Sequence, residues 1–299
     1  MTAVPHAYDS TNNLRGIIAM VVSMAAFVLN DACVKLAAGH LPTGEVIFLR
    51  AVATTLLCLG VIYLRDDARA LRDALKPKVA LRSLCDVGGS FTFLFTLTHM
   101  PIADAYAILQ FTPLALTAAA AIFLGAQVGW RRWSAALVGL IGVLIIVRPG
   151  GAAFNAYALL ALFSIFFSVT RDLITRGIGL GISSLTMAFA STGMIAVASL
   201  VFLLFETWQM PSLTALAFVL GAGLMLLAGQ HWLIKALRTG EIVVVAPFRY
   251  SIVLWSVLAG LAIWHEFPDG VTLVGLAIVT GAGLYTFLRE QKLSRMARA

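Results

Sequence analysis

A chain of 299 residues that is 61% hydrophobic and 12% charged holds about half the charge of a soluble domain, so an aqueous globule is excluded. Its apolar runs are about 20 residues long and lack period-2 alternation, which excludes a β-barrel and predicts membrane-crossing helices. The net charge of +7 sits between the apolar runs, where it sets topology and does not read as a nucleic-acid surface.

In chain order, residues 1–13 read as a polar cytoplasmic tail, and the first apolar run reads as a retained span and not a cleaved signal. Ten spans follow, at 14–36, 43–64, 79–99, 102–124, 131–148, 154–174, 181–205, 212–236, 241–264 and 270–288. Segment 65–78 reads as a short helix on the membrane surface, and 289–299 as a cytoplasmic tail. With the N-terminus inside, 17 of the 21 Lys and Arg residues fall on the cytoplasmic side, so both termini are expected in the cytoplasm of a bacterial inner membrane. Trp130, Trp133, Trp208 and Trp264 lie near span ends, as interfacial anchors do. Cys33, Cys58 and Cys85 all fall inside apolar runs and read as small buried hydrophobes.

The break at Arg148, Pro149, Gly150 and Gly151 divides the spans five and five. An odd number per half forces related halves into opposite orientations. The expected architecture is therefore an all-α membrane protein of ten transmembrane helices in two inverted five-helix repeats, 14–150 and 151–288. Sliding the chain along itself until Leu97 falls on Leu237 also lays Leu114 on Leu254 and Ala119 on Ala259.

Ionisable groups inside a bilayer cost roughly 2.5–3.5 kcal/mol each on insertion scales, so each needs a partner or a function. Asp31 and Arg50 reach similar depths across the first hairpin and read as a structural ion pair. Asp86, Gln230, His231 and Arg249 form a second set, about 10 Å from the cytoplasmic boundary at 1.5 Å per residue. Arg249 requires an anion, either Asp86 or a substrate carboxylate. His231 reads either as a hydrogen-bonded core residue or as a proton relay. Tyr106, Gln110 and Pro113 share one face of the fourth span, and Pro113 frees the carbonyl of Leu109. With Phe93, Phe167, Trp232 and Tyr250 these residues are expected to line a cavity with aromatic walls that suits an amphipathic organic solute. Gly139, Gly142, Gly275, Gly281 and Gly283 make spans 5 and 10 either peripheral supports or a self-association surface. The sequence holds no Walker, HExxH, Cys/His-cluster or GxSxG motif, so neither an enzyme nor a cofactor is expected, and transport would run on a gradient.

Several fragments resemble the drug/metabolite transporter superfamily in its EamA-type ten-helix branch. They are Gly129-Trp130-Arg131-Arg132-Trp133, Gly139, Gly142 and Arg148-Pro149-Gly150, then Phe248, Tyr250, His265-Glu266-Phe267-Pro268-Asp269, Gly275 and Arg289-Glu290. Arg50 matches an arginine common in that family's second helix. The acidic residue often found after Leu124-Gly125 is replaced by Ala126, while its second-half counterpart Glu266 is present. The resemblance implies inverted repeats, a cavity among helices 3, 4, 8 and 9, and alternating access. Within the family the chain looks most like aromatic amino-acid exporters. Export of aromatic and other neutral amino acids is the expected function, with S-adenosylmethionine, riboflavin or cationic drugs as the alternative cargo and a non-transporting scaffold as a further one.

Overall fold

The computed structural model describes residues 10–64, 68–124, 130–148, 155–176, 178, 181–239 and 245–296. Pro149 to Gly151, Ala126 and the start of the ninth span lie outside the described residues. Among the described residues, 88% are helical and none is in a strand. Twelve α-helices are named here: α1 Ser10–Ala38, α2 Thr43–Leu64, α3 Ala68–Ala74, α4 Pro77–His99, α5 Ile102–Leu109, α6 Thr112–Leu124, α7 Trp130–Val147, α8 Tyr157–Arg176, α9 Ser184–Ser199, α10 Leu213–Thr239, α11 Ser251–Ala259 and α12 Gly270–Met296. α3 is the short helix expected before the third span. Two expected tails are shorter than anticipated, because α1 begins at Ser10 and α12 runs to Met296.

Three spans are interrupted, each for a readable reason. The fourth is α5 plus α6, broken at Gln110 and Phe111 just ahead of Pro113. Proline supplies no N–H to the turn before it, and the Thr112 hydroxyl donates to the Leu109 carbonyl at 2.6 Å. The seventh continues α9 as a 3-10 turn, Leu200–Leu204. The ninth runs as a 3-10 turn at Ala246–Tyr250 around Pro247, then α11, then a π-turn at Gly260–Trp264. Large apolar side chains such as Leu56, Phe123, Phe166 and Val197 are more than half exposed, as expected where the solvent is hydrocarbon.

The helix pairings have an internal symmetry. α1 packs on α10 as α8 packs on α4; in span numbers, 1 on 8 and 6 on 3. α4 meets α9 as α10 meets α2, and α1 meets α11 as α8 meets α5 and α6. α7 pairs with α12, and α2 with α9. Each of these pairings survives the exchange of span n for span n+5. Local packing repeats as well. The Phe27 ring of α1 lies against Gly229, where a Cβ would come within 2.9 Å of it. Phe167, its counterpart under the shift that lays Leu97 on Leu237, lies in the same way against Gly88, where a Cβ would come within 2.6 Å. With five crossings per half, such a relation turns one half over in the membrane.

Gly142 and Gly275 bring α7 and α12 into close contact. A Cβ on either would lie 2.9 or 2.7 Å from the other's carbonyl oxygen. These two glycines therefore serve packing within the chain.

Candidate substrate cavity and the polar clusters around it

The face at which α1 begins and α12 ends is called the terminal face here, and the other the opposite face. A cavity of about 160 Å³ lies between α4, α5 and α8 toward the terminal face. Its walls include Cys85, Asp86, Gly89, Ser90, Phe93, Leu109, Ser164, Ser168 and Arg171. Asp86, Gly89, Ser90 and Phe93 recur at helical spacing on α4; Ser164, Ser168 and Arg171 do the same on α8. Gly88 and Gly89 admit α8 closely enough to bring the two stripes together.

The charges on the wall are paired. Asp86 accepts from Arg82 Nη1 at 2.8 Å, from Arg171 Nη1 at 3.1 Å and from Ser191 Oγ at 2.6 Å. Arg171 also binds its neighbour Asp172, at 2.8 Å. The Asp86 carboxylate thus ties α4 to both α8 and α9. Its side chain is 14% exposed and that of Arg171 32%, so the pair is largely out of water and still reaches the cavity.

The expected set is brought together only in part. Asp86 and Phe93 line the cavity. Phe167 packs beside it on Gly88. Arg249 is exposed and makes no ion pair among the described residues, so the expected Asp86–Arg249 pair is replaced by Asp86–Arg171. The 3-10 turn at Ala246–Tyr250 changes the helical register there, and Tyr250 packs its ring against Gly283 of α12. Gln230 and His231 are exposed. Trp232 stands edge-on to His231 at 6.1 Å and lies under Lys235 Nζ at 4.4 Å. These residues lie on α10 away from the cavity walls. Arg82 and Ser191 were not among the expected site residues. The signal for Arg82 was its i, i+4 spacing to Asp86. Cys58 is buried as expected, whereas Cys33 and Cys85 are only partly buried and Cys85 lines the cavity.

Tyr106 and Gln110 are buried, 5% and 8% exposed, behind the cavity. Tyr106 Oη donates to Asp31 Oδ2 at 2.5 Å, and Asn30 Nδ2 donates to Asp31 Oδ1 at 2.6 Å. The expected Asp31–Arg50 ion pair does not close: among the described residues, no carboxylate is within ion-pair distance of the Arg50 guanidinium. Arg50 is 8% exposed and its Nε has no hydrogen-bond partner.

At the opposite face the two halves are latched. Lys35 Nζ lies 3.4 Å from Glu266 Oε2, donates to the Met100 carbonyl at 3.0 Å and sits 4.7 Å from the Trp264 ring centroid. Arg148 Nη2 binds Asp269 at 2.5 Å. The Arg148 guanidinium and the Thr272 amide hold the Asp269 carboxyl well below the usual carboxylate range. Arg148 and His265 are left-handed, with φ of 49° and 56°, at a cost of roughly 1–2 kcal/mol each. Both are in or beside this latch. Of the expected interfacial tryptophans, Trp130 is 72% exposed, whereas Trp264 belongs to the latch and Trp208 packs on Phe48 at 5.0 Å.

The profile of the EamA-like transporter family matches residues 14–148, the first five spans. The S-adenosylmethionine uptake transporter of Rickettsia prowazekii is 29% identical over 283 residues, covering 93% of this chain and 94% of that protein. The riboflavin transporter of Vibrio cholerae is 28% identical, covering 95% and 97%. The pseudopaline exporter of Pseudomonas aeruginosa is 26% identical, covering 89% and 94%. A solved crystal structure aligns over 92% of this chain with a TM-score of 0.62 at 19% identity, covering 98% of its own length, and shares the fold.

Proposed function

We propose that this chain is a multi-pass membrane transporter of the drug/metabolite type, a reading supported by the EamA-like match over its first half, and that it carries an amphipathic metabolite with a zwitterionic head by alternating access. The observation that carries this reading is the Asp86–Arg171 pair on the wall of a cavity whose other side is Phe93 and Leu109. A carboxylate and an ammonium on one molecule would replace the two members of that pair for each other, so neither buried charge loses a partner on loading. Ser90, Ser164 and Ser168 offer hydroxyls to the head, and Phe93 a flat apolar surface to the body.

The cargo is wider than aromatic and neutral amino acids. S-adenosylmethionine, riboflavin and pseudopaline in the relatives' names favour a larger metabolite over a free amino acid. Export of free amino acids stays as the second reading, favoured by the cavity's small volume of about 160 Å³. With the opposite face latched, the cavity loads from the terminal face. The basic loops support a reading with that face in the cytoplasm of a bacterial inner membrane and two inverted repeats at 14–150 and 151–288.

The test is counterflow in proteoliposomes with labelled S-adenosylmethionine, riboflavin and an amino-acid panel. Riboflavin has neither a carboxylate nor an ammonium, so its exchange would count against the zwitterionic head; S-adenosylmethionine, which carries both, is expected to exchange saturably. Arg171→Gln should raise its half-saturation concentration about 10- to 100-fold, the scale of a charge-assisted hydrogen bond of about 1.5–3 kcal/mol. Exchange of amino acids alone would select the second reading, and no exchange of any compound would overturn both.

A further inference from the structure

We infer that Asp31 is the proton-binding group that couples this transporter to a proton gradient, a reading that rests on the transport function proposed above. Asp31 sits in α1, seven residues before its end at Ala38, or about 10 Å inside the opposite face. It is 7% exposed. Its two hydrogen-bond donors come from α1 and α5: Asn30 at 2.6 Å and Tyr106 at 2.5 Å. A carboxylate so placed has an obvious structural role as the partner of Arg50, yet that pair is not made.

Two unmet polar atoms belong to its donor Asn30 and to Arg50, and a third lies one turn beyond Tyr106. Arg50 Nε, Asn30 Oδ1 and Gln110 Nε2 are buried without partners, on side chains that are 8%, 3% and 8% exposed. A cluster meant only to hold helices together would satisfy these atoms. One that alternates between two arrangements leaves some unmet in each. Charge explains how a proton would select between them. With Asp31 ionised, Arg50 has a counter-charge nearby in the hydrocarbon. Protonation removes it and leaves the Arg50 charge unbalanced, which favours a rearranged or wetter state.

The cluster is in physical contact with the cavity. The Tyr106 ring stands edge-on to Phe93, with centroids 5.9 Å apart, and Phe93 lines the cavity. Leu109, one turn beyond Tyr106 on α5, lines it too. A shift of Tyr106 that follows a change at Asp31 therefore moves the cavity wall.

The chemistry is a single transfer. Hydronium at one face gives its proton to an Asp31 oxygen, an O–H bond forms and water leaves; at the other face water takes the proton back. The groups that face Asp31 are few. α1 itself brings Asn30 and Cys33, with Lys35 one turn on and held in the latch. α2 brings Arg50, and α5 brings Tyr106. Residues 219–229 of α10, 251–259 of α11 and 87–97 of α4, which pack around this level, hold no titratable residue.

The test compares wild type with Asp31→Asn in proteoliposomes, using the same labelled panel. An imposed pH gradient should make wild type accumulate its substrate, and Asp31→Asn should lose that accumulation at least tenfold while keeping counterflow within about threefold. Asp31→Glu should restore part of the accumulation with a shifted pH profile, which a purely structural role would not produce. An infrared titration of the purified protein needs no substrate. A protonated-carboxyl band that titrates in wild type should be missing from Asp31→Asn. Undiminished gradient-driven accumulation in Asp31→Asn, or an infrared titration that the substitution leaves unchanged, would overturn the inference. Failure of wild-type counterflow across the panel would sink the transport reading instead, and the infrared arm would still decide the fate of Asp31.

Discussion

Asp31 in α1 and Arg171 in α8 fall on one another when the first half is laid on the second, each four residues beyond a phenylalanine that packs on a glycine of the facing helix. One scaffold position carries a carboxylate in the first half and a guanidinium in the second. Their surroundings differ as well. Asp31 is 7% exposed and bonded to neutral donors. Arg171 is 32% exposed at the side chain, bonded to carboxylates and open to a cavity. The difference teaches that an inverted repeat supplies two polar sites at mirrored depths, and that sequence divergence can give them different surroundings: here one opens on the cavity and the other is sealed behind it.

The sharpest way to break this comparison is to remove the acid from the second site. Asp86→Ala takes away the carboxylate that Arg82 and Arg171 share, leaving Arg82 with no ion pair among the described residues and Arg171 with Asp172 alone. Breaking a buried pair from one side costs about 3–5 kcal/mol. We expect loss of counterflow and a clear drop in thermal stability in detergent. Asp86→Asn, which keeps the hydrogen bond from Ser191, should recover part of the stability and none of the transport. If Asp86→Ala transports as wild type does, the second site is structural and the contrast with Asp31 disappears.

Next in size is a test of the scaffold relation itself. Gly88→Ala and Gly229→Ala each drive a Cβ into a phenylalanine ring, to 2.6 and 2.9 Å. Overpacking of this kind costs about 1–3 kcal/mol. Equal losses in thermal unfolding are expected, because both contacts support the same pairing, α8 on α4 and α10 on α1. A loss confined to one would mean that the two halves are held together differently.

How much of this was legible beforehand depended on whether the signal was local. The ten spans, the helix at 68–74 and the break near Pro113 rest on runs of hydropathy and on proline's missing N–H, which sequence displays directly. Asp86 was legible for the same reason, as a charge inside an apolar run. Its partner was not. Arg171 and Arg249 looked alike as arginines near the terminal face, and only the 3-10 turn at Ala246–Tyr250 decides which one faces inward. Gln230 and His231 are exposed on α10 while Trp232 packs against Ala19, Met20 and Met24 of α1, so none of the three reaches the cavity, which period alone left open. The latch was missed because Lys35, Glu266, Arg148 and Asp269 are ordinary loop and helix-end charges until the fold brings them together.

A smaller effect separates the two faces of the molecule. The opposite face is latched by Lys35–Glu266 and Arg148–Asp269. The positions that match Lys35, Glu266, Arg148 and Asp269 in the other half are Thr175, Ala126, Leu288 and Gly129, none of them charged. Glu266→Gln removes a pair whose glutamate side chain is 37% exposed, so the change is under about 1 kcal/mol. A cysteine placed at Ala103, 4% exposed beneath the latch, should then be labelled from the opposite face a few-fold faster. An unchanged rate would mean that the latch does not hold that face shut.

The smallest effect is expected from pH. Asp269 has its folded value lowered by Arg148 and Thr272. A carboxyl with a depressed folded value contributes stability above its unfolded value, about 3.9, and loses it only as pH falls through the folded one. The Arg148–Asp269 arm should therefore stay closed from pH 8 down to about pH 4. Labelling at Ala103→Cys across that range separates this arm from the proposed coupling at Asp31. A change in labelling that persists in Asp269→Asn but vanishes in Asp31→Asn places the pH response in the buried cluster. One that vanishes in Asp269→Asn places it in the latch, and with it the source of the asymmetry between the two faces.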